Sequence, residues 1–242
     1  MIERLENNPR VSSQFLRNAE TNVVPSLYLF KSLNQRGLPN LRYIPNAIEL
    51  ENYPFFLRKD LNLKLFWLRA FDEIYNPMMA IKVLEILLKD FTEAELCMVG
   101  PDKDGSLQQC REYAQRKNLP ISFPGRLSKP EWIALSREYD IFLNSSNIDN
   151  TPVSLIEAMA LGLPVVSTNA GGIPWLMEDQ KEALLVNPGD IDAALTAIKR
   201  LLENQSLAQQ ISLNARKRVE VFDWAVVKER SEERRVGKEC ER

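Results

Sequence analysis

A chain of 242 residues, 45% of them hydrophobic, is long enough to bury one large core or two small ones, which argues against disorder. Its 31 basic and 33 acidic side chains leave a net charge of −2, and no long basic run precedes the last residues, so electrostatic binding to nucleic acid or an anionic membrane has no support. Three cysteines without a CxxC pair, and no histidine, argue against a disulfide scaffold and a metal site and favour a reducing compartment.

The first residues, MIERLENNPR, carry no apolar core of a signal peptide, and no run reaches the ~18 apolar residues of a membrane span. The expected location is cytoplasmic. NVVPSLYLFKSLNQRG (22–37) reads as a strand and a helix, and LRYIPN (41–46) as a short strand. Residues 47–62 bear prolines and lack periodicity, so they read as a linker. Residues 1–46 are too few for a second domain of the kind that follows, and are expected to be a remnant of one.

From residue 63 short apolar runs alternate with amphipathic segments, the pattern of βα units around a mostly parallel sheet. The expected strands are LKLFWLRA (63–70), AELCMVG (94–100), PISFPG (120–125), YDIFLNS (139–145), PVVST (164–168) and EALLVN (182–187). NPMMAIKVLEILLKDF (76–91) has an Asn N-cap followed by proline, and SKPEWIALSREY (128–139) opens with a Ser-x-x-Glu capping box. GDIDAALTAIKRLLEN (189–204) and SLAQQISLNARKRVEVF (206–222) form a final helical pair. Residues 63–222 thus read as one doubly wound α/β domain of Rossmann-like type. RSEERRVGKEC (230–240) breaks from the amphipathic DWAVVKE before it and resembles the in-frame translation of a common sequencing adapter, so residues 230–242 are set apart as an expected artefact.

The stretch DNTPVSLIEAMALGLPVVSTNAGG (149–172) concentrates the chemistry. Thr151 before Pro152 is the expected N-cap of the helix VSLIEAMAL, with proline at its first position. Ligands of open α/β sheets lie at the carboxyl ends of strands, and the free N–H groups and positive dipole of a helix start there suit a phosphate. Glu157, among Leu155, Ile156, Ala158 and Met159, is a carboxylate in apolar surroundings and needs donors. Ribose hydroxyls and a buried ion pair with a distant Lys or Arg fit equally well. Asp149, in the preceding loop, can reach a ligand beyond the phosphates or simply form a turn with Asn150. Gly171 and Gly172 mark a sharp turn or a close approach. Arg69, Gly100 and Arg126 stand at three successive strand ends, where a guanidinium could neutralise a diphosphate.

With these residues in view, the run from Asp149 to Gly172 resembles the signature of family 4 retaining glycosyltransferases of the two-domain GT-B fold: an acidic residue, seven positions, a glutamate, then EAMA-x-G-x-PVV and a Gly-Gly turn. The likeness extends from PSLYLFKSL and YIPNAIELENY to the last helices. It implies a nucleotide-diphosphate sugar as donor, UDP- or GDP-sugar favoured, with no cofactor. It places Glu157 on the ribose, Asp149 near the donor sugar, and Arg69 with the backbone from Thr151 to Ser154 on the phosphates, where Thr151, Val153 and Ser154 have N–H groups to give and Pro152 has none. Base contacts fall near Gly100 and Arg126, with Gly171 and Gly172 at the same site. The acceptor would be a glycan, a lipid-linked or a small molecule, and the intact enzyme could be peripheral at the inner face of the membrane. Residues 1–46 then correspond to the end of the acceptor domain and 223–229 to the start of a crossover helix.

Three positions depart from the family pattern. Asp149 is shorter than the usual glutamate; Ile74 and Tyr75 stand where a basic residue usually follows the strand-end arginine, leaving Lys129 and Lys64 as candidates for the second cation; Trp175 replaces a common acidic residue. The competing expectation is a nucleotide-binding or interaction module of the same fold without catalysis. The base, sugar, linkage and oligomeric state are not legible in the sequence.

Overall fold

The computed structural model describes residues 9–229, with side chains from residue 14 onward; the adapter-like segment 230–242 lies outside the described residues. A helix not anticipated from sequence, α1 (Pro9–Asn18), leads into β1 (Asn22–Val24), α2 (Leu27–Gln35) and β2 (Leu41–Tyr43). β1 and β2 pair in parallel, and α2 covers them with a small core of Val24, Leu29, Leu33 and Leu38. Ser26 caps α2, its hydroxyl accepting from the Leu29 amide at 3.1 Å.

The six strands expected from the apolar runs all form: β3 (Lys64–Leu68), β4 (Glu95–Val99), β5 (Ile121–Gly125), β6 (Ile141–Asn144), β7 (Val165–Thr168) and β8 (Leu184–Val186). They make one parallel sheet in the order β5-β4-β3-β6-β7-β8. The chain therefore builds outward from β3 in one direction, returns, and builds outward from β6 in the other. Between β3 and β6 the strand order reverses, the place where open α/β sheets form a ligand crevice. β6 and β7 are buried along their whole length, whereas edge strand β5 alternates between half-buried and exposed positions and so tolerates Pro124.

The helices follow as α3 (Pro77–Leu87), α4 (Ser106–Lys117), α5 (Lys129–Leu135), α6 (Val153–Ala160), α7 (Ile173–Leu176), α8 (Ile191–Glu203) and α9 (Gln205–Val219). One face of the sheet packs on α3 and α8 through Leu84, Leu87, Ile198 and Leu201; the other packs on α6 and α7 through Leu155, Ile156, Met159 and Ile173. Two apolar layers on one parallel sheet make the doubly wound domain.

The local start signals act as the sequence suggests. Asn76 caps α3, with Pro77 at its first position, and the Glu131 carboxylate accepts from both the amide and the hydroxyl of Ser128, at 2.7 and 2.6 Å. α4 escaped sequence reading because its inward stripe is Ser106, Cys110 and Ala114, small side chains at helical spacing with little apolar signal. Residues 47–62, read as a linker, are irregular apart from a 3-10 turn at Leu50–Asn52, yet they are held tightly. Arg58, 4% exposed, donates to the carbonyls of Tyr139, Phe56, Leu161 and Ser136 at 2.7–3.4 Å, and burial lowers its pKa to about 10. Residues 224–229 are helical, and the Trp224 amide donates to the Ile48 carbonyl at 2.7 Å.

Candidate donor-binding cleft

A cleft of about 410 Å³ opens at the carboxyl ends of β3, β4 and β5, facing the start of α6. Leu68, Arg69 and Ala70 come from the end of β3, Gly100 and Pro101 from β4, and Arg126 and Leu127 from β5; Val153, Ser154 and Glu157 come from α6, and Lys129 and Trp132 from α5. It lies at the reversal of strand order.

The first helical amides of α6 have no carbonyl a turn earlier to bond, and they carry the positive end of the helix dipole. Arg69, Arg126 and Lys129 border the same space. Two buried polar atoms of the lining residues, Arg69 Nε and Ser154 Oγ, have no hydrogen-bond partner among the described residues. Such groups cost roughly 1–3 kcal/mol each when left unsatisfied, a cost that an acceptor atom reaching them would relieve. Its donors and cations fit an anion such as a diphosphate.

Arg69 is fixed from two sides. One amino group pairs with the Asp149 carboxylate, and its guanidinium lies 4.1 Å from the centroid of the Tyr75 ring. Tyr75, at the position where a second cation was expected, thus supplies an aromatic face to the first. Asp149 also accepts from the Asn150 amide at 2.8 Å. Burial pushes its carboxyl above the usual range, against the pull of Arg69.

Glu157 is 6% exposed. Its Oε1 accepts from the Tyr53 hydroxyl at 2.7 Å and lies 3.4 Å from Lys129 Nζ. Burial raises its pKa, with Tyr53 and Lys129 opposing. The ion pair weighed from sequence is therefore present, and the same carboxylate lines the cleft. Tyr53 stands 104 positions before Glu157, so no local sequence signal marks the contact.

Several expectations need correction. Thr151 does not cap the helix: α6 starts at Val153 with Pro152 in the cap position, and the Thr151 hydroxyl donates to the Pro25 carbonyl at 3.3 Å, so it ties the N-terminal segment to the domain. Lys64 cannot serve as the second cation. It sits at the opposite end of β3 from Arg69, ~16 Å away at ~3.3 Å per residue, and pairs with Glu95 at 3.0 Å. Gly171 and Gly172 lie behind the Asp149 loop, outside the cleft lining. A Cβ on Gly171 would stand 2.1 Å from the Asp149 carbonyl oxygen, and one on Gly172 1.8 Å from that of Asn150. The glycines allow this close approach, and the Gly172 amide donates to the Asp149 carbonyl at 2.8 Å. Gly100 has a similar cause, since a Cβ there would overlap the Arg69 carbonyl oxygen at 1.7 Å. Trp175 is 40% exposed, with Lys31 Nζ 4.4 Å from its ring centroid.

Among the described residues no cluster of His, Cys, Asp or Glu is arranged to hold a metal ion, and no helix is long and apolar enough to cross a membrane.

The family model described as "Glycosyl transferases group 1" matches residues 53–218. The sulfoquinovosyl transferase SQD2 of Arabidopsis thaliana is 28% identical over 236 residues, covering 90% of this chain and 45% of that protein. The phosphatidyl-myo-inositol mannosyltransferase of Mycobacterium leprae is 27% identical over 191 residues, covering 78% of this chain and 49% of that protein. The chain thus spans about half the length of the curated relatives it matches. Among solved structures, HepE of Anabaena in complex with UDP and glucose superposes with a TM-score of 0.85 at 18% identity, over 96% of this chain and 67% of that one.

Proposed function

The chain belongs to the glycosyl transferases group 1 family, and from that premise we propose that it forms the donor-binding half of a family 4 retaining glycosyltransferase, which moves a sugar from a nucleotide diphosphate to an acceptor. The observation that carries this reading is the pair of buried, unpartnered donors, Arg69 Nε and Ser154 Oγ, beside a helix start in a cleft bordered by cations. A diphosphate offers acceptors to both.

In this reading the α6 amides, Ser154 and Arg69 hold the diphosphate, with Lys129 as the second cation. Glu157 accepts from the ribose hydroxyls, and Gly100 and Arg126 border the base. Asp149 stands toward the donor sugar. As the bond between the sugar's anomeric carbon and the diphosphate oxygen breaks, charge grows on the leaving phosphate, where Arg69 and the dipole of α6 stabilise it. The acceptor oxygen forms the new bond on the same face and passes its proton to the departing diphosphate oxygen. Asp149 pairs with one amino group of Arg69, which leaves Nε for the diphosphate.

UDP- and GDP-sugars are the proposed donors, and the UDP held by HepE, which shares the fold, supports the first. A glycan, lipid-linked or small-molecule acceptor would be held largely by the other half of the enzyme, to which we assign residues 1–46. The alternative reading, a nucleotide-binding module without catalysis, rests on one observation: Asp149, the shortened acid, is already committed to Arg69.

Thermal-shift titration of the 242-residue chain with UDP, GDP, ADP and their sugar conjugates tests the reading. A ligand that binds only the native state stabilises it by ~2.7 kcal/mol at a hundred times its Kd. One nucleotide should raise Tm with concentration, and Arg69→Met should abolish the effect. A folded chain that responds to none of them refutes the donor site.

A further inference from the structure

The anchor of Glu157 comes from outside the βα units that build the cleft. Tyr53, at the end of the 3-10 turn Leu50–Asn52, is 1% exposed, and its hydroxyl donates to Glu157 Oε1 at 2.7 Å. The residue is locked at both ends. Arg216 of α9 donates through one amino group to the Tyr53 carbonyl at 2.9 Å and to the Ala160 carbonyl, at the end of α6, at 2.6 Å. The ring packs 6.3 Å from that of Trp132, a cleft residue, and Lys129 Nζ lies 5.6 Å above it.

Lys129 engages the same carboxylate oxygen, but its side chain is 58% exposed, and a long exposed ammonium fixes little. Tyr53 has two side-chain torsions, both held by packing. A carboxylate has room for about four hydrogen bonds, so an anchor at Oε1 leaves Oε2 to meet a ligand and sets the angle at which it does so.

We propose that Tyr53 is a positioning residue for ribose recognition: by holding Oε1 it presents the remaining acceptors of Glu157 to the paired hydroxyls of a ribonucleotide, and so sets a preference for ribose over sugars lacking them. The assignment rests on the donor-site reading above. It adds a residue that touches no part of the ligand.

The test uses whichever of UDP, GDP or ADP stabilises the parent chain, beside its 2′,3′-dideoxy counterpart, with Kd measured by calorimetry. The parent should bind the ribonucleotide about tenfold or more tightly than the dideoxy form, the effect of a hydrogen bond to a charged group. Tyr53→Phe keeps the ring and its packing; it should weaken the ribonucleotide about tenfold while leaving the dideoxy form within about twofold. In a Glu157→Ala background, which leaves Tyr53 nothing to hold, the same substitution should add nothing further. Equal loss for both ligands, undiminished preference for ribose in Tyr53→Phe, or a full additional loss in the Glu157→Ala background overturns the proposal while leaving the donor site standing. A parent that binds neither ligand refutes the donor site itself, and Tyr53's role with it.

Discussion

Replacing Glu157 by glutamine should make the unliganded protein more stable and weaken its binding of ribonucleotide about tenfold, two effects of opposite value from one change. Glu157 is held almost out of water, and burial outweighs Tyr53 and Lys129 in raising its pKa. Ionising it therefore costs folding free energy. Glutamine keeps the shape and a carbonyl oxygen for the Tyr53 hydroxyl while removing the charge. What is lost is a pair with Lys129 at 3.4 Å, whose lysine is 58% exposed, worth ~0–1 kcal/mol. Replacing a whole buried ion pair by uncharged residues is neutral to ~1–4 kcal/mol stabilising, and with one partner in solvent the low end of that range applies, about 1 kcal/mol. The net gain is ~0–1 kcal/mol at neutral pH, a rise in Tm of up to ~2–4 °C for a chain of this size. The sign depends on pH in a defined way. Below the unfolded value of 4.5 the carboxyl is protonated in both states and the variant gains nothing from charge removal. As pH rises through the raised folded value the native state of the parent binds more protons than the unfolded chain, so its stability falls, and the variant's advantage grows until it is complete above that value. Melting curves of parent and variant across this range, without nucleotide and with it, measure both effects. An advantage that does not grow with pH, or a variant that is less stable at neutral pH, would refute the electrostatic account; a variant with the parent's nucleotide response would remove Glu157 from the site.

Arg58→Met should destabilise the fold by about 3 kcal/mol or more, because three buried carbonyls and a partly buried one lose a charged donor at once; urea unfolding reads the loss, and a change under 1 kcal/mol would show that water replaces the guanidinium. Gly172→Ala should cost about 1–3 kcal/mol and displace Asn150, whose carbonyl oxygen lies 1.8 Å from the new Cβ. Since Asp149 and its partner Arg69 share that loop contact, nucleotide stabilisation should fall with it, and a variant with an unchanged melting curve and unchanged nucleotide response would place the Gly-Gly turn outside the site's support.

Much of this molecule is local. Six strands and the helices at Pro77–Leu87, Val153–Ala160, Ile191–Glu203 and Gln205–Val219 follow from apolar periodicity and from caps that act over three residues, such as Asn76 on the Met79 amide. The helix Ser106–Lys117 was illegible because its buried stripe is made of small side chains. The motif between Asp149 and Gly172 was equally legible as a sequence, and Arg69, Gly100, Arg126, Ser154 and Glu157 do meet in one cleft. What the sequence could not decide is who else meets them. Asp149 reaches Arg69 across 80 positions and Tyr53 reaches Glu157 across 104. Lys129 joins Glu157 while Lys64 is carried to the far end of its strand. A hydroxyl such as that of Thr151 can cap a helix or bond a distant carbonyl, and nothing within a few residues of it distinguishes the two. Periodicity reports which face of an element is buried; the partner on that face is set by strand order and by the path of the chain around the sheet, and only the tertiary structure fixes these.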